Sequence, residues 1–249
     1  MTRRLRRLAD VVGELEPGAD PAVLVASGEI EVDGFAVTNP EARVSAGAQV
    51  RRRRPASLRG EAKLSAALAA FDIGVLGRVA LDVGAAAGGF TRVLLAAGAR
   101  RVYAVDAGHG QLLGSLRQDP RVVNLEATNV ADLTPVLVPE PVEMVSIDVS
   151  YLSLSAAAAQ LDRVHLAPGA DLVGLIKPMF ELRRATAPTD DASLAAALAA
   201  ATAGVEAAGW RVVCTMASPV LGARGARELL LHATWGGSWR EGTDVGRPG

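Results

Sequence analysis

Two lysines stand out in this chain because arginine supplies nearly every other cation. The 249 residues contain 24 arginines but only Lys63 and Lys177. An arginine guanidinium stays protonated, whereas a lysine ammonium shifts its pKa when buried and can accept or relay a proton. Most lysines in proteins are solvated surface groups, and mutational drift alone could leave two lysines in a chain. Their flanking segments, RGEAKL and LIKPMFEL, favour a role in chemistry.

Two carboxylates join these lysines as candidate catalytic residues. Asp148 directly follows a predicted strand over 142–147, and Lys177 follows a predicted strand over 172–176. Parallel sheets open their ligand crevice at the carboxyl ends of their strands. We therefore expect both side chains to point into one crevice. Lys63 lies on the helix before the sheet, and Glu228 begins the last predicted strand.

A glycine-rich segment, LDVGAAAGGF over 81–90, joins the first strand of the predicted sheet to a helix. Glycines at such a joint let the backbone approach a ligand, and the helix start offers free amides. The spacing is neither the dinucleotide GxGxxG nor a phosphate-binding P-loop. The candidate cofactor-binding residues of this segment are Asp82, Gly84, Ala85, Gly88, Gly89 and Phe90.

Polar residues also follow the next strands. Asp106 ends the second strand, 22 residues after Gly84, where a carboxylate can accept both hydroxyls of a ribose. Asn129 and Asp148 follow the third and fourth strands. With Asp82 placed to neighbour a methionine amine, this order fits S-adenosyl-L-methionine better than NAD. The alternative is an ordinary strand–turn–helix joint with solvated aspartates.

Alternating strands and helices from residue 61 onward predict an α/β domain over 61–235. The final two strands follow each other without a helix, which indicates a hairpin. We expect a Rossmann-like, mostly parallel seven-stranded sheet whose last strand is antiparallel. The predicted strands cover 79–83, 101–105, 122–125, 142–147, 172–176, 210–216 and 228–233.

The first 50 residues predict a small α+β module. A basic amphipathic helix over 2–16 and a short helix over 21–26 precede a hairpin that turns at Asp33-Gly34. One more strand is expected within 44–50. Residues 51–60 are interpreted as a basic linker, and 236–249 as a disordered tail.

Charge is distributed unevenly although the formal net charge is only −1. Residues 1–60 hold ten arginines against eight acidic residues, a net charge of +2. The arginines cluster in two runs, and such runs are either a solvated face or a surface that contacts the phosphates of a nucleic acid. The candidate residues of a nucleic-acid-binding surface are Arg3, Arg4, Arg6, Arg7, Arg51, Arg52, Arg53 and Arg54.

Several classes of protein are excluded by what the sequence lacks. A single cysteine, Cys214, allows no intramolecular disulfide or cysteine-cluster metal site, and we expect it to be a buried strand thiol. The three histidines show no ligand spacing, so no metal is predicted. No apolar segment is long enough to span a membrane, and no signal sequence follows the basic start. We expect a cytoplasmic protein; the oligomeric state is left open.

The chain resembles the TlyA family, whose members are named both as hemolysins and as ribosomal-RNA 2′-O-methyltransferases of the FtsJ type. The resemblance covers residues 59–235 closely and is weaker in SGEIEVDGFAVTNPEARV, which is similar to half of the family's small RNA-binding module. The matching segments are RGEAKL, ALDVGAAAGGFTRVLLAAGARRVYAVDAGHGQL, LRQDPRV, EATNVADLTP, SIDVSYLSL, LIKPMFEL and SPVLGARGARE.

The resemblance implies a Lys63–Asp148–Lys177–Glu228 tetrad and S-adenosyl-L-methionine as cofactor. Lys177 would deprotonate or orient a ribose 2′-hydroxyl, with Asp148 and Glu228 holding its charge and position. Lys63 would contact substrate or a carboxylate.

Some segments depart from the family. The second helix of the front module has no arginine, LRRATAP replaces a glycine-rich basic segment after 181, and an asparagine expected shortly before Glu228 is absent. Three alternatives therefore stay open. They are a methyltransferase for another acceptor such as a natural product, a catalytically idle RNA-binding protein, and a membrane-active hemolysin.

Overall fold

Two groups of secondary-structure elements follow one another along the chain, and the computed structural model describes residues 5–26, 29–52 and 59–236. The predicted tail beyond Gly236 and the central part of the predicted linker, 53–58, lie outside the described residues. The first group comprises β1 (Leu5–Arg7), α1 (Leu8–Leu15), α2 (Pro21–Ala26), β2 (Ile30–Val32), β3 (Phe35–Ala36), β4 (Arg43–Ser45) and β5 (Val50–Arg52).

The front module has a small apolar core between its two helices and its short strands. Its buried members are Leu8, Val12, Leu24, Val25, Ile30 and Val44. The predicted hairpin is confirmed: Val32 pairs with Phe35, and both Asp33 and Gly34 have positive φ. Two consecutive left-handed residues form the primed turn whose twist matches that of paired strands.

Three expectations for the module are wrong in their bounds. The first helix begins at Leu8, because residues 5–7 pair with β4 instead of continuing the helix. The strand expected within 44–50 is two strands that pair with different partners, β4 with β1 and β5 with β2. Arg51 and Arg52 belong to β5, so the basic run begins inside the module's sheet and not in a linker.

The second group of elements builds the large domain. It comprises α3 (Arg59–Ala70), β6 (Val79–Val83), α4 (Gly89–Ala96), β7 (Arg101–Asp106), α5 (Gly114–Arg117), β8 (Val122–Glu126), β9 (Val142–Ile147), α6 (Leu154–Ala159), β10 (Leu166–Ile176), α7 (Pro178–Glu181), α8 (Asp191–Ala207), β11 (Trp210–Ala217) and β12 (Leu229–Trp235). The periodicity did not predict the short helices α5, α6 and α7.

A seven-stranded sheet carries the large domain, in the order β11-β12-β10-β9-β6-β7-β8. Only β12 runs antiparallel to its neighbours, which confirms the predicted fold class. Successive strand residues face opposite sides of a sheet. Accordingly, Leu81 and Val145 pack with α6 and α8, whereas Ala80 and Met144 pack with α3 and α4.

The strand order reverses between β6 and β9, since the chain leaves β6 towards β7 on one side and returns to β9 on the other. A crevice opens at the carboxyl ends of the strands at such a switch point. The fold therefore places the ends of β6, β9 and β10 around one crevice.

The expectation that Cys214 is buried is wrong, because its side chain is exposed. It lies on β11, one of the two edge strands of the sheet, which pairs with β12 alone among the described strands. The pairing shifts register between Val212 and Cys214, so this stretch leaves the regular ladder at the margin of the sheet.

Candidate active site

One cavity of about 430 Å³ gathers all four predicted catalytic side chains. Lys63, Asp148, Lys177 and Glu228 line it together with the glycine-rich segment over 84–90. Their positions in the chain span 165 residues. The crevice at the switch point brings them together, and the ends of the parallel strands account for Asp148 and Lys177.

Lys177 lies between β10 and α7, and its extended conformation follows from the proline after it. A residue before proline is disfavoured in the helical region, so the chain stays extended at Lys177, with φ −106° and ψ 104°. Pro178 then fills the first position of α7, where a missing amide proton costs nothing. This local sequence fixes the lysine at the crevice, between a strand and a helix.

Three oxygens from the segment that follows β9 hold the Lys177 ammonium. Nζ donates hydrogen bonds to the Val149 carbonyl and the Ser150 hydroxyl, each at 2.8 Å. It also lies 2.6 Å from Asp148 Oδ1. That carboxylate oxygen is buried and has no aligned hydrogen bond, so this contact is an ion pair set by charge. Ser150 was not predicted as a site residue.

Glu228 does not hold Lys177, contrary to the expectation from the resemblance. It accepts a hydrogen bond of 2.6 Å from Lys63 Nζ, and both side chains are only 6% exposed. The tetrad is therefore two separate lysine–carboxylate pairs. A buried pair of this kind costs desolvation energy that its attraction roughly offsets, so it is weak evidence for a stabilising role.

Gly222 explains the position of the Glu228 carboxylate. A Cβ at residue 222 would lie 2.1 Å from Glu228 Oε1, so any larger residue would displace the carboxylate or the loop. The Gly222 amide also donates to the Ala226 carbonyl, which closes a turn over the cavity. Gly222 lies within the SPVLGARGARE segment that resembles the TlyA family, but the sequence alone predicted no role for it.

The glycine-rich segment contributes both cavity wall and helix packing. Gly84 has φ +88°, and a Cβ there would lie 2.5 Å from the Asp148 carbonyl oxygen, so only glycine lets the ends of β6 and β9 approach this closely. Ala85, Gly89 and Phe90 line the cavity. Gly88 instead faces α5, since its Cβ would meet Leu116 at 2.1 Å.

Two further predicted cofactor residues, Asp106 and Asn129, are not among the residues that line this cavity. Asp106 accepts hydrogen bonds from the Ala86 amide at 2.8 Å and the Gly108 amide at 2.6 Å. Each carboxylate oxygen can accept more than one hydrogen bond, so the group can still take ribose hydroxyls. Asn129 is exposed and precedes a 3-10 turn over Val130–Asp132.

Asp82 lies behind the cavity, which differs from its expected place beside a methionine amine. Its carboxylate is fully buried and accepts hydrogen bonds from the hydroxyls of Thr91 at 2.6 Å and Ser146 at 2.9 Å. Burial raises the pKa of Asp82 to about 6, although these hydrogen bonds oppose the rise. The group thus joins β6, α4 and β9.

Glu126, which the sequence reasoning missed, organises the segment after β7. It accepts hydrogen bonds from the amides of Gln111 at 2.6 Å and Leu112 at 2.9 Å, and Arg117 lies 2.8 Å away. Burial alone would raise the pKa of Glu126. These amides, the Asn124 side chain and the Arg117 charge together lower it to about 2.

The predicted RNA-binding arginines of the front module mostly face carboxylates of the same module. Among the described residues, the ion pairs are Arg6–Glu14 at 2.5 Å, Arg7–Glu41 at 2.6 Å, Arg51–Glu31 at 2.8 Å, Arg52–Glu29 at 3.0 Å and Arg52–Glu16 at 3.2 Å. Arg3, Arg4, Arg53 and Arg54 lie outside the described residues. Much of this positive charge is thus offset locally.

Comparison with known proteins identifies the family. The model of the FtsJ-like methyltransferases matches residues 57–235. The chain is 38% identical over 243 residues to the 16S/23S rRNA (cytidine-2′-O)-methyltransferase TlyA of Mycobacterium tuberculosis, covering 93% of this chain and 90% of that protein. The chain is a TlyA-type member of the FtsJ-like methyltransferase family.

Other relatives agree with this family. Hemolysin A of Brachyspira hyodysenteriae is 36% identical over 180 residues, covering 68% of this chain and 73% of that protein. A solved structure described as a candidate hemolysin from Streptococcus thermophilus superposes with a TM-score of 0.68 at 30% identity, covering 94% of this chain and 90% of the other. No helix within the described part of this TlyA-type chain is long and apolar enough to cross a membrane.

The TlyA-type chain is an S-adenosyl-L-methionine-dependent methyltransferase, and its residues fit that cofactor. The turn at Gly84 has no room for a Cβ, so bare backbone meets the cavity there. Asp106 keeps acceptor capacity for ribose hydroxyls, and the Asp148 carboxylate faces the cavity. We predict that the cofactor contacts these residues.

The buried pair Lys63–Glu228 should behave as a coupled unit in stability measurements. Lys63→Met or Glu228→Leu alone leaves an uncompensated buried charge and should cost about 3–5 kcal/mol. The double variant removes both charges and should cost clearly less than either single change. Urea unfolding of the three variants measures this coupling, and additive losses would contradict a paired burial.

Asp82 should make the stability of the fold fall between about pH 4 and pH 6. Its pKa is higher in the folded chain than the usual 3.8, so ionisation is harder when folded and the unfolding free energy drops as pH rises through this window. The drop should be roughly 3 kcal/mol and should be nearly complete by about pH 7.

Asp82→Asn should abolish this drop, because an amide does not ionise. Unfolding free energies of both proteins from pH 4 to pH 7 provide the comparison, with the exposed Asp162→Asn as control. A constant difference between wild type and Asp82→Asn across the range would show that the carboxyl ionises as easily when buried.

Proposed function

We propose that this methyltransferase transfers a methyl group to the 2′-hydroxyl of a ribose in ribosomal RNA. The observation that carries the proposal is the Lys177 side chain, held in the cavity by Asp148, Val149 and Ser150 beside the glycine-rich segment. The Mycobacterium tuberculosis relative is named as a 16S/23S rRNA (cytidine-2′-O)-methyltransferase. We propose the same class of acceptor here, and a cytoplasmic location.

The reaction requires that the 2′-hydroxyl oxygen is aligned with the methyl group of the cofactor and that it loses its proton. When bound, S-adenosyl-L-methionine supplies an electrophilic methyl group on a sulfonium. Lys177 in its amine form accepts a hydrogen bond from the 2′-hydroxyl and takes its proton as the oxygen bonds to the methyl carbon. The sulfur–methyl bond would break at the same time, and the cofactor would leave as the neutral thioether S-adenosylhomocysteine. The resulting ammonium is held by the three oxygens that contact it in the structure. Alignment and proton transfer together account for most of the acceleration expected.

Asp148 has the supporting role of stabilising that ammonium. It lies 2.6 Å from Nζ and comes from the neighbouring strand end, so the charge pair forms only when β9 and β10 are correctly aligned. We assign the Lys63–Glu228 pair to another part of the cavity wall, where it contributes two opposite charges with no net charge. In this proposal only Lys177 handles the proton.

Two substitutions of Lys177 should show separately what its charge and its ability to exchange a proton contribute to the rate. Lys177→Ala should lower the rate of methyl transfer by about 10²–10⁴-fold, the usual contribution of a general base. Lys177→Arg keeps a cation beside Asp148 but cannot release its proton, so it should lose activity to a similar extent. Binding of S-adenosyl-L-methionine should change little in either variant.

The measurement is transfer of tritiated methyl from the cofactor to unmodified 16S and 23S rRNA, both naked and in ribosomal subunits. Calorimetric titration of the cofactor tests that each variant is folded, and the exposed Arg163→Ala serves as control. Full activity of Lys177→Arg would remove the proton-transfer role. Activity on a small acceptor but on no rRNA would favour the natural-product alternative over RNA.

A further inference from the structure

Two exposed arginines lie on segments that line the catalytic cavity. Arg183 lies just beyond α7, whose residues Pro178, Met179 and Phe180 line the cavity. Arg224 lies in a 3-10 turn over Ala223–Gly225, between the lining residues Ala223 and Ala226. The two side chains are therefore presented by two different loops that border the same opening.

Arg183 and Arg224 differ from most other arginines because their side chains have no partner within the described part of the protein. Among the arginines whose side chains the structure describes, only four have a guanidinium that makes neither an ion pair nor a hydrogen bond. They are Arg43, Arg163, Arg183 and Arg224.

The nearest arginines in sequence show the contrast. Arg184 donates to the Ser193 hydroxyl at 2.8 Å, and Arg227 contacts the Asp191 carboxylate at 2.7 Å. Both are thereby fixed to the first turns of α8, while Arg183 and Arg224 stay free at the opening.

The backbone adds an independent observation. Arg183 has φ +51° and Arg224 has φ +55°, in the left-handed region that glycine occupies without steric cost and other residues occupy at a cost. Outliers of this kind concentrate where a side chain has a function. At both positions a long cation occupies a conformation that would suit glycine.

We infer that Arg183 and Arg224 bind the RNA phosphates next to the target nucleotide. The inference rests on the proposed function, because a ribose that enters the cavity brings its two flanking phosphates to the mouth. An arginine fork matches the oxygens of a phosphate, and a free arginine gives up no internal contact on binding. The paired arginines of the front module would each have to leave a carboxylate first.

The test compares Arg183→Gln, Arg224→Gln and the double variant with Arg163→Gln, which removes another exposed and unpaired charge elsewhere. The assay is steady-state methylation of unmodified rRNA at several salt concentrations. Each mouth variant should raise KM for RNA roughly fivefold, the effect of losing one exposed charge contact. It should also reduce the dependence of log affinity on log salt by about 0.7.

If the two arginines contact phosphates, other kinetic constants should change little. The kcat and the KM for S-adenosyl-L-methionine should stay within about twofold of the wild type, since the change affects ground-state binding of RNA alone. Arg183→Lys and Arg224→Lys should restore much of the affinity and the salt dependence, because a lysine keeps the charge.

The outcomes separate the two claims. If wild type methylates rRNA and the double variant matches Arg163→Gln in KM and salt dependence, the inference is wrong and the proposed function stands. A parallel rise in KM for the cofactor would also overturn it, because the arginines would then act through the shape of the cavity. If wild type transfers no methyl group to rRNA, the proposed function fails and the inference with it.

Discussion

The contact between Lys177 and the end of β9 is the interaction on which the site depends. A lysine can meet Asp148, Val149 and Ser150 in one place only if β9 and β10 are adjacent and parallel. Gly84 allows β6 to close against the same segment, and Pro178 keeps the chain extended at the lysine after β10. Strand order, one glycine and one proline thus place a cation where a reacting hydroxyl can reach it.

Local sequence patterns were sufficient to predict the parallel strands and the hairpin turn. The parallel strands were predicted because each is a short apolar run with polar residues after its end, and that rule alone put Asp148 and Lys177 in one crevice. The hairpin turn at Asp33-Gly34 followed from backbone conformation. The helices α5 and α7 were missed because four residues carry no helical periodicity.

Pairings over long distances could not be predicted in the same way. Glu228 and Lys63 lie 165 residues apart, and nothing local shows that the carboxylate turns to Lys63 and away from Lys177. The hydroxyl partners of Asp82 come from α4 and β9, so its burial behind the cavity depends on packing. Charge counts likewise concealed that the module's arginines are paired, since each partner lies at least eight residues away.

The central claim is that this chain methylates a ribose of ribosomal RNA. Mass-spectrometric mapping of 2′-O-methylated nucleotides in rRNA tests it most directly, in cells with the gene, without it and with it restored. The account predicts that at least one ribose methylation disappears with the gene and returns on restoration. An unchanged methylation map in the three strains would contradict the claim.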